Sequence, residues 1–288
     1  MTAHPWSSTD LEPLGGGRYR AQLAEAWVLA MACQGGLLAA LAGRAAEAEL
    51  GTGQPLRSIH GLFVRPVAPG PVDVTVEVLR RGRSMSQVRA EVRSADDHAG
   101  YEALAVFGGP RAMGFAFTEL VPPEVPAPDA CPAFHDPPPP EAGIEWDGPL
   151  PFWRDVLEGR AARGTPPWID SPTGPAEVVD WFRFHAGDPV VPDGSMDPLG
   201  LLVMADVMPG AVFQGRPRPA ERLFAPSVDL SVQLFGPATP GWILAHARAH
   251  HAGDGYASAE MALWDPRGEG GPSLVAWAAQ QMFFTSMG

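Results

Sequence analysis

Apolar and polar residues alternate strictly over "PVDVTVEV" (residues 71–78), which sets Val72, Val74, Val76 and Val78 against Asp73, Thr75 and Glu77. A period of two predicts a strand with one face buried. "SQVRAEVRS" (86–94) repeats the pattern with Val88, Ala90 and Val92. In the second half "VDLSVQLF" (228–235) and "WILAHARAHH" (242–251) alternate in the same way. These strands predict antiparallel sheet with one solvated face. Two runs break the alternation: "AWVLAMACQGGLLAALAG" (26–43) and "PLGLLVMADVMPGAV" (198–212). The first is about long enough to span a bilayer, but Gln34 at its centre and its many small residues predict a buried helix. No membrane partner is expected.

The pattern occurs twice. "RPVAPG" (65–70) is echoed by "GPATPG" (236–241), so that Pro66 corresponds to Pro237 and Gly70 to Gly241, each 171 residues on (237 − 66 and 241 − 70). The same offset carries Gly82 onto Gly253 and Gly35 onto Asp206. A helix followed by several long antiparallel strands has been duplicated. The predicted fold class is α+β, a double hotdog: two copies of a long helix wrapped by an antiparallel sheet. Between residues 121 and 140 nine of twenty residues are proline, which can neither donate to a ladder nor continue a helix. The expected division is an N-terminal hotdog over 1–118, a proline-rich linker over 119–170 and a C-terminal hotdog over 171–288.

Composition narrows the chemistry. A net charge of −13 opposes the basic surface that nucleic acid requires. All 20 basic residues are arginine, which removes the P-loop lysine and any Schiff base. Two cysteines, Cys33 and Cys131, make neither a disulfide framework nor a structural zinc site. The first residues lack a secretory signal pattern, so a cytoplasmic location is expected. No cofactor or metal is expected, and a homodimer or higher homo-oligomer is.

The first half contains "CQGGLLAALAG" and "IHGLFVRPVAPGPVDVTVEVLRRGRSMSQVRAEV", and the second contains "WFRF", "LLVMADVMP", "PSVDLSVQLF" and "SLVAWAAQQ". In these motifs, their order and their spacing the chain resembles the type II (TesB-like) acyl-CoA thioesterases. The resemblance implies an acyl-CoA substrate and an active site of three polar residues around a water: an aspartate at Asp206, a hydroxyl at Ser227 where the family carries threonine, and a glutamine at Gln280. The family's glutamine at the start of the first helix is Leu37 here.

The residues themselves point the same way. Asp206 is a carboxylate among Leu, Val and Met, costly to bury without partners. It either bonds free backbone groups near Pro209 or acts as the base that takes a proton from water. In the second case Ser227 and Gln280 orient the water, while backbone N–H groups near Gly35 and Gly36 bind the oxyanion. Gln280 is otherwise a satisfied polar residue at a strand end. His60 is a further candidate at the cleft, or a structural histidine. Arg80, Arg81 and Arg83, or Arg216, Arg218 and Arg222, are candidates for the coenzyme A phosphates, or solvated turns. His246, Arg248 and His250 share a face that reads as solvated rather than metal-binding. No Gly-x-Ser-x-Gly elbow is present, and no histidine flanks Asp206 as a hydratase would require. The expected activity is hydrolysis of an acyl-CoA thioester by Asp-activated water; the alternative is a non-catalytic acyl-CoA-binding or scaffold protein.

Overall fold

Twelve strands form one antiparallel sheet in the computed structural model, which describes residues 4–94, 98–140, 146–165, 174–215, 223–268 and 270–286. In the first half these are β1 (Glu12–Gly15), β2 (Arg18–Leu23), β3 (Leu56–Phe63), β4 (Gly70–Arg80), β5 (Met85–Ser94) and β6 (Ala99–Gly108). In the second half they are β7 (Leu157–Arg163), β8 (Glu177–Phe184), β9 (Asp229–Leu234), β10 (Ile243–Gly253), β11 (Tyr256–Asp265) and β12 (Ser273–Phe283). The order across the sheet is β1-β2-β4-β5-β6-β3-β9-β12-β11-β10-β8-β7. Read from its centre outwards it is the same in both directions, half for half.

The centre of this palindrome lies where β3 meets β9. His60 stands opposite Ser231, with Ile59 opposite Val232 and Gly61 opposite Leu230. Since 231 − 60 = 171, the pair at the centre joins equivalent residues, and its neighbours exchange across it. The duplication offset is thus a pseudo-twofold axis through the sheet. Gly70 and Gly241 keep their correspondence in backbone conformation, with φ of 136° and 125°, a region that disfavours residues with a Cβ.

The two helical segments differ. Helix α1 (Gly35–Leu50) runs for 16 residues, capped by the Gln34 side chain, which accepts from the Leu37 N–H, and closed by Gly51 in the left-handed region at φ 58°. Every residue from Leu37 to Gly43 is buried, which is why this segment reads as apolar on all sides. No helix among the described residues is long and apolar enough to cross a membrane. Helix α2 (Leu199–Ala205) stops after 7 residues, and a 3₁₀ segment, Met208–Phe213, follows. Pro209 has no N–H to continue an α-helical ladder, so the second copy breaks where the first runs on. Asp206 is the C-cap at that break.

Behind the second half, the outer sheet face is covered rather than solvated. Trp181, Leu244 and Trp264 pack there with Val125 and Cys131, and the Trp181 indole donates to the Pro126 carbonyl at 2.9 Å. Residues 157–163, within the segment expected as linker, form the edge strand β7, the counterpart of β1. The outer face of the first half carries ion pairs instead, among them Arg20–Asp73 at 2.7 Å and Arg89–Glu102.

Candidate active site

Asp206 is 7% exposed and held from both halves. Its Oδ2 accepts the Gly36 N–H at 2.9 Å, at the start of α1. Its Oδ1 accepts Gln280 Nε2 at 2.6 Å and faces Ser227 Oγ at 3.4 Å. Gln280 Nε2 also donates to Ser227 Oγ at 2.5 Å. Ser227 lies just before β9 and bridges to Met282 of β12, two residues beyond Gln280, so both polar groups reach the carboxylate from adjacent strands.

Glycine at positions 35 and 36 makes this approach possible. A Cβ on Gly36 would stand 2.5 Å from the Leu202 carbonyl oxygen and 2.6 Å from Val203 Cα. A Cβ on Gly35 would collide with the Phe63 ring and stand 3.0 Å from Asp206 Oδ2. The start of α1 is therefore pressed against the end of α2. Gln34 clips the two together, its Nε2 donating to the Val203 carbonyl at 3.0 Å and its Oε1 accepting from Leu37 at 3.1 Å.

Burial pushes the Asp206 carboxyl up from its usual range to about 7, against the pull of the Gly36, Gln280, Ser227 and Gly35 donors that favour the charged form. The positive end of the 16-residue α1 acts in the same sense as those donors. A carboxyl poised near neutrality can take a proton from water and return it to a leaving group.

The structure thus brings Asp206, Ser227, Gln280, Gly35 and Gly36 together. It does not bring His60 to them. In β3 Ile59 and Gly61 face the core, so His60 points to the outer face, exposed, with its Nδ1 2.6 Å from Ser231 Oγ. The three arginines also lie elsewhere, exposed around the turn after β4. The Arg81 guanidinium bonds the carbonyls of Leu50 and Glu49. That is the far end of α1, roughly 24 Å along its axis from Gly35. There Arg81 serves carbonyls that the helix leaves unpaired. Arg216, Arg218 and Arg222 lie outside the described residues. Three neighbours of the site carried no sequence signal as functional residues: Gln34, Phe63 and Tyr101. Gln34 alone stood out, as a polar residue amid an apolar run.

The pseudo-twofold identifies what the first half places at the corresponding positions. Leu104 stands opposite His60 and Ala279 opposite Ser231, so Ala105 corresponds to Gln280. Leu56 pairs with Phe107 as Ser227 pairs with Met282. Ser227 and Gln280 are thus matched by Leu56 and Ala105, neither with a polar side chain; the offset does not extend to the helices, since Gly35 opens α1 whereas Asp206 closes α2.

Comparison with known proteins places the chain in a family. Residues 23–108 match the acyl-CoA thioesterase N-terminal domain, and residues 128–284 match the acyl-CoA thioesterase C-terminal domain. The chain belongs to the acyl-CoA thioesterase family, with its double hotdog fold. Among solved structures, a hot-dog-fold protein of Alicyclobacillus acidocaldarius is 21% identical, with a TM-score of 0.79 over 99% of each chain. The acyl-CoA thioesterase II TesB2 of Mycobacterium marinum is 20% identical, with a TM-score of 0.70 over 97% of each chain. The tesB protein of Mycobacterium avium subs paratuberculosis is 24% identical, with a TM-score of 0.67 over 97% of each chain. At these identities the likeness is one of fold. No curated protein matches the chain.

Proposed function

We propose that this protein hydrolyses acyl-CoA thioesters to free acid and coenzyme A, with Asp206 as the general base toward water. The observation that carries the reading is the buried carboxylate clamped between the α1 N-terminus of one half and Ser227 and Gln280 of the other. Water held by Ser227 and Gln280 attacks the thioester carbon, and its proton passes to Asp206. The tetrahedral intermediate then expels the thiolate, which takes that proton back from Asp206. Because Gly36 N–H is bonded to Asp206 Oδ2, we assign the start of α1 to holding the base rather than the substrate oxygen.

Among the described residues one such cluster is built, since Leu56 and Ala105 hold the positions that match Ser227 and Gln280. A panel of acyl-CoAs of increasing length, with thiol release followed by a colorimetric reagent, tests the activity. The expected result is release that depends on chain length. Binding across the panel without release would instead make the protein an acyl-CoA-binding scaffold.

A further inference from the structure

We propose that the Tyr101 hydroxyl is the donor that binds the thioester carbonyl oxygen and stabilises the oxyanion formed on it. The proposal rests on the thioesterase reading and adds a residue to it.

The tyrosine is wholly buried, yet its hydroxyl has no hydrogen-bond partner among the described residues. An unpaired buried hydroxyl is a standing penalty that a purely structural site would relieve by using phenylalanine. Gly61 clears the space for it: any Cβ there would collide with the Tyr101 hydroxyl and ring. The location follows from a chain of contacts. The Tyr101 ring lies 5.1 Å, centroid to centroid, from that of Phe63. The Phe63 ring in turn lies over Gly35, which borders Asp206 Oδ2. Burial first, then the Asp206 and Asp229 charges, push the Tyr101 pKa above its ordinary value. The group therefore stays protonated as a donor, close enough to Asp206 to feel its charge.

A second atom, in the Asp206 cluster itself, is also unpaired. Gln280 Oε1 is buried without a partner among the described residues. The reaction needs one extra acceptor, for the second hydrogen of the attacking water, and one extra donor, for the carbonyl oxygen. Gln280 Oε1 and Tyr101 Oη are an acceptor and a donor left open at this site. As the water oxygen bonds to carbon, the carbonyl π pair moves onto the oxygen facing Tyr101. When the C–S bond breaks, that pair re-forms the carbonyl and the electrons of the broken bond leave on sulfur.

The test uses Tyr101→Phe in the full chain. With a good acyl-CoA substrate, kcat is expected to fall about 100-fold or more, the cost of losing one oxyanion donor, with melting temperature equal to or above the parent's. A kcat within threefold of the parent overturns the proposal. A binding measurement separates it from the thioesterase reading. Two unreactive analogues are compared, a ketone with methylene in place of the thioester sulfur and an S-alkyl-CoA lacking the carbonyl. The parent is expected to bind the ketone up to about tenfold tighter, and Tyr101→Phe to lose that preference. Retention of the preference in the variant, its absence in the parent, or binding of neither analogue overturns the role of Tyr101. If the preference behaves as expected but the parent releases no thiol, the donor stands and the hydrolytic reading falls.

Discussion

Ser227 and Gln280 in the second half are matched by Leu56 and Ala105 in the first, position for position about the axis between His60 and Ser231. The helices differ in parallel, with 16 residues unbroken in α1 and 7 residues before a break in α2. These differences depend on one another. Asp206 reaches the Gly36 N–H because α2 ends at Ala205, and because residue 35 has no side chain in the way. An aspartate at position 35 as well would put two carboxylates against one another, where like charges disfavour ionisation. A fused pair of repeats can instead put the acid in one copy and the backbone that holds it in the other.

The sharpest way to break the comparison is to remove the acid. Asp206→Asn is expected to lower kcat about 1,000-fold, within the range for losing a general base, as measured by thiol release. The variant should fold, because Gln280 can rotate its amide to present Oε1 to the new amide. Turnover within about threefold of the parent would remove Asp206 as the base.

Next in size is the supporting backbone. Gly36→Val, or even Gly36→Ala, forces a Cβ onto the Leu202 carbonyl and Val203 Cα, and backbone atoms cannot step aside cheaply. We expect a loss of about 3 kcal/mol or more in denaturant unfolding, with turnover lost as the α1–α2 contact opens. A Gly36→Val protein of unchanged stability and turnover would show that the first half does not hold the base.

The charge on Asp206 also leaves a signature in stability. Its native carboxyl is raised from 3.8 to about 7. Between those values the unfolded chain releases a proton that the native protein keeps, so stability falls as pH rises from about 4 to about 7 and is level above. Asp206→Asn lacks that loss and should be more stable than the parent by about 2–4 kcal/mol at pH 8, with the gap closing near pH 4. The parent's kcat/KM should rise through pH 7 as the base ionises. A gap that does not change with pH would mean that the buried carboxyl titrates normally.

Smallest is the hydroxyl. Ser227→Thr keeps it and should stay within about threefold of the parent in kcat, whereas Ser227→Ala should lose about tenfold, the value of one hydrogen bond. Equal behaviour of the two variants would remove the hydroxyl from water positioning.

Much of this was readable in the chain. The period of two predicted the strands, the offset of 171 predicted the duplication, and a carboxylate in "LLVMADVMPGAV" stood out because burying a charge there is costly. The broken second helix was less visible, although Pro209 supplies its cause. The direction of His60 was ambiguous, because its neighbour Gly61 carries no side chain to mark the buried face. Arg81 looked like a phosphate ligand because a turn rich in arginine has the same composition whether it faces an anion or the carbonyls at a helix end.

Local pattern and composition determine which residues are strand, helix or turn, since those depend on neighbours a few positions apart. The sequence by itself therefore determined the repeats, the antiparallel sheet and the candidate acid. Only the tertiary structure decided which groups meet Asp206. Its contact with Gly36 spans 170 residues and exists because the two copies fold back about a shared axis. The unpaired hydroxyl of Tyr101 is decided in the same way, by a glycine on the adjacent strand and a charge from the other half, neither of which lies near it along the chain.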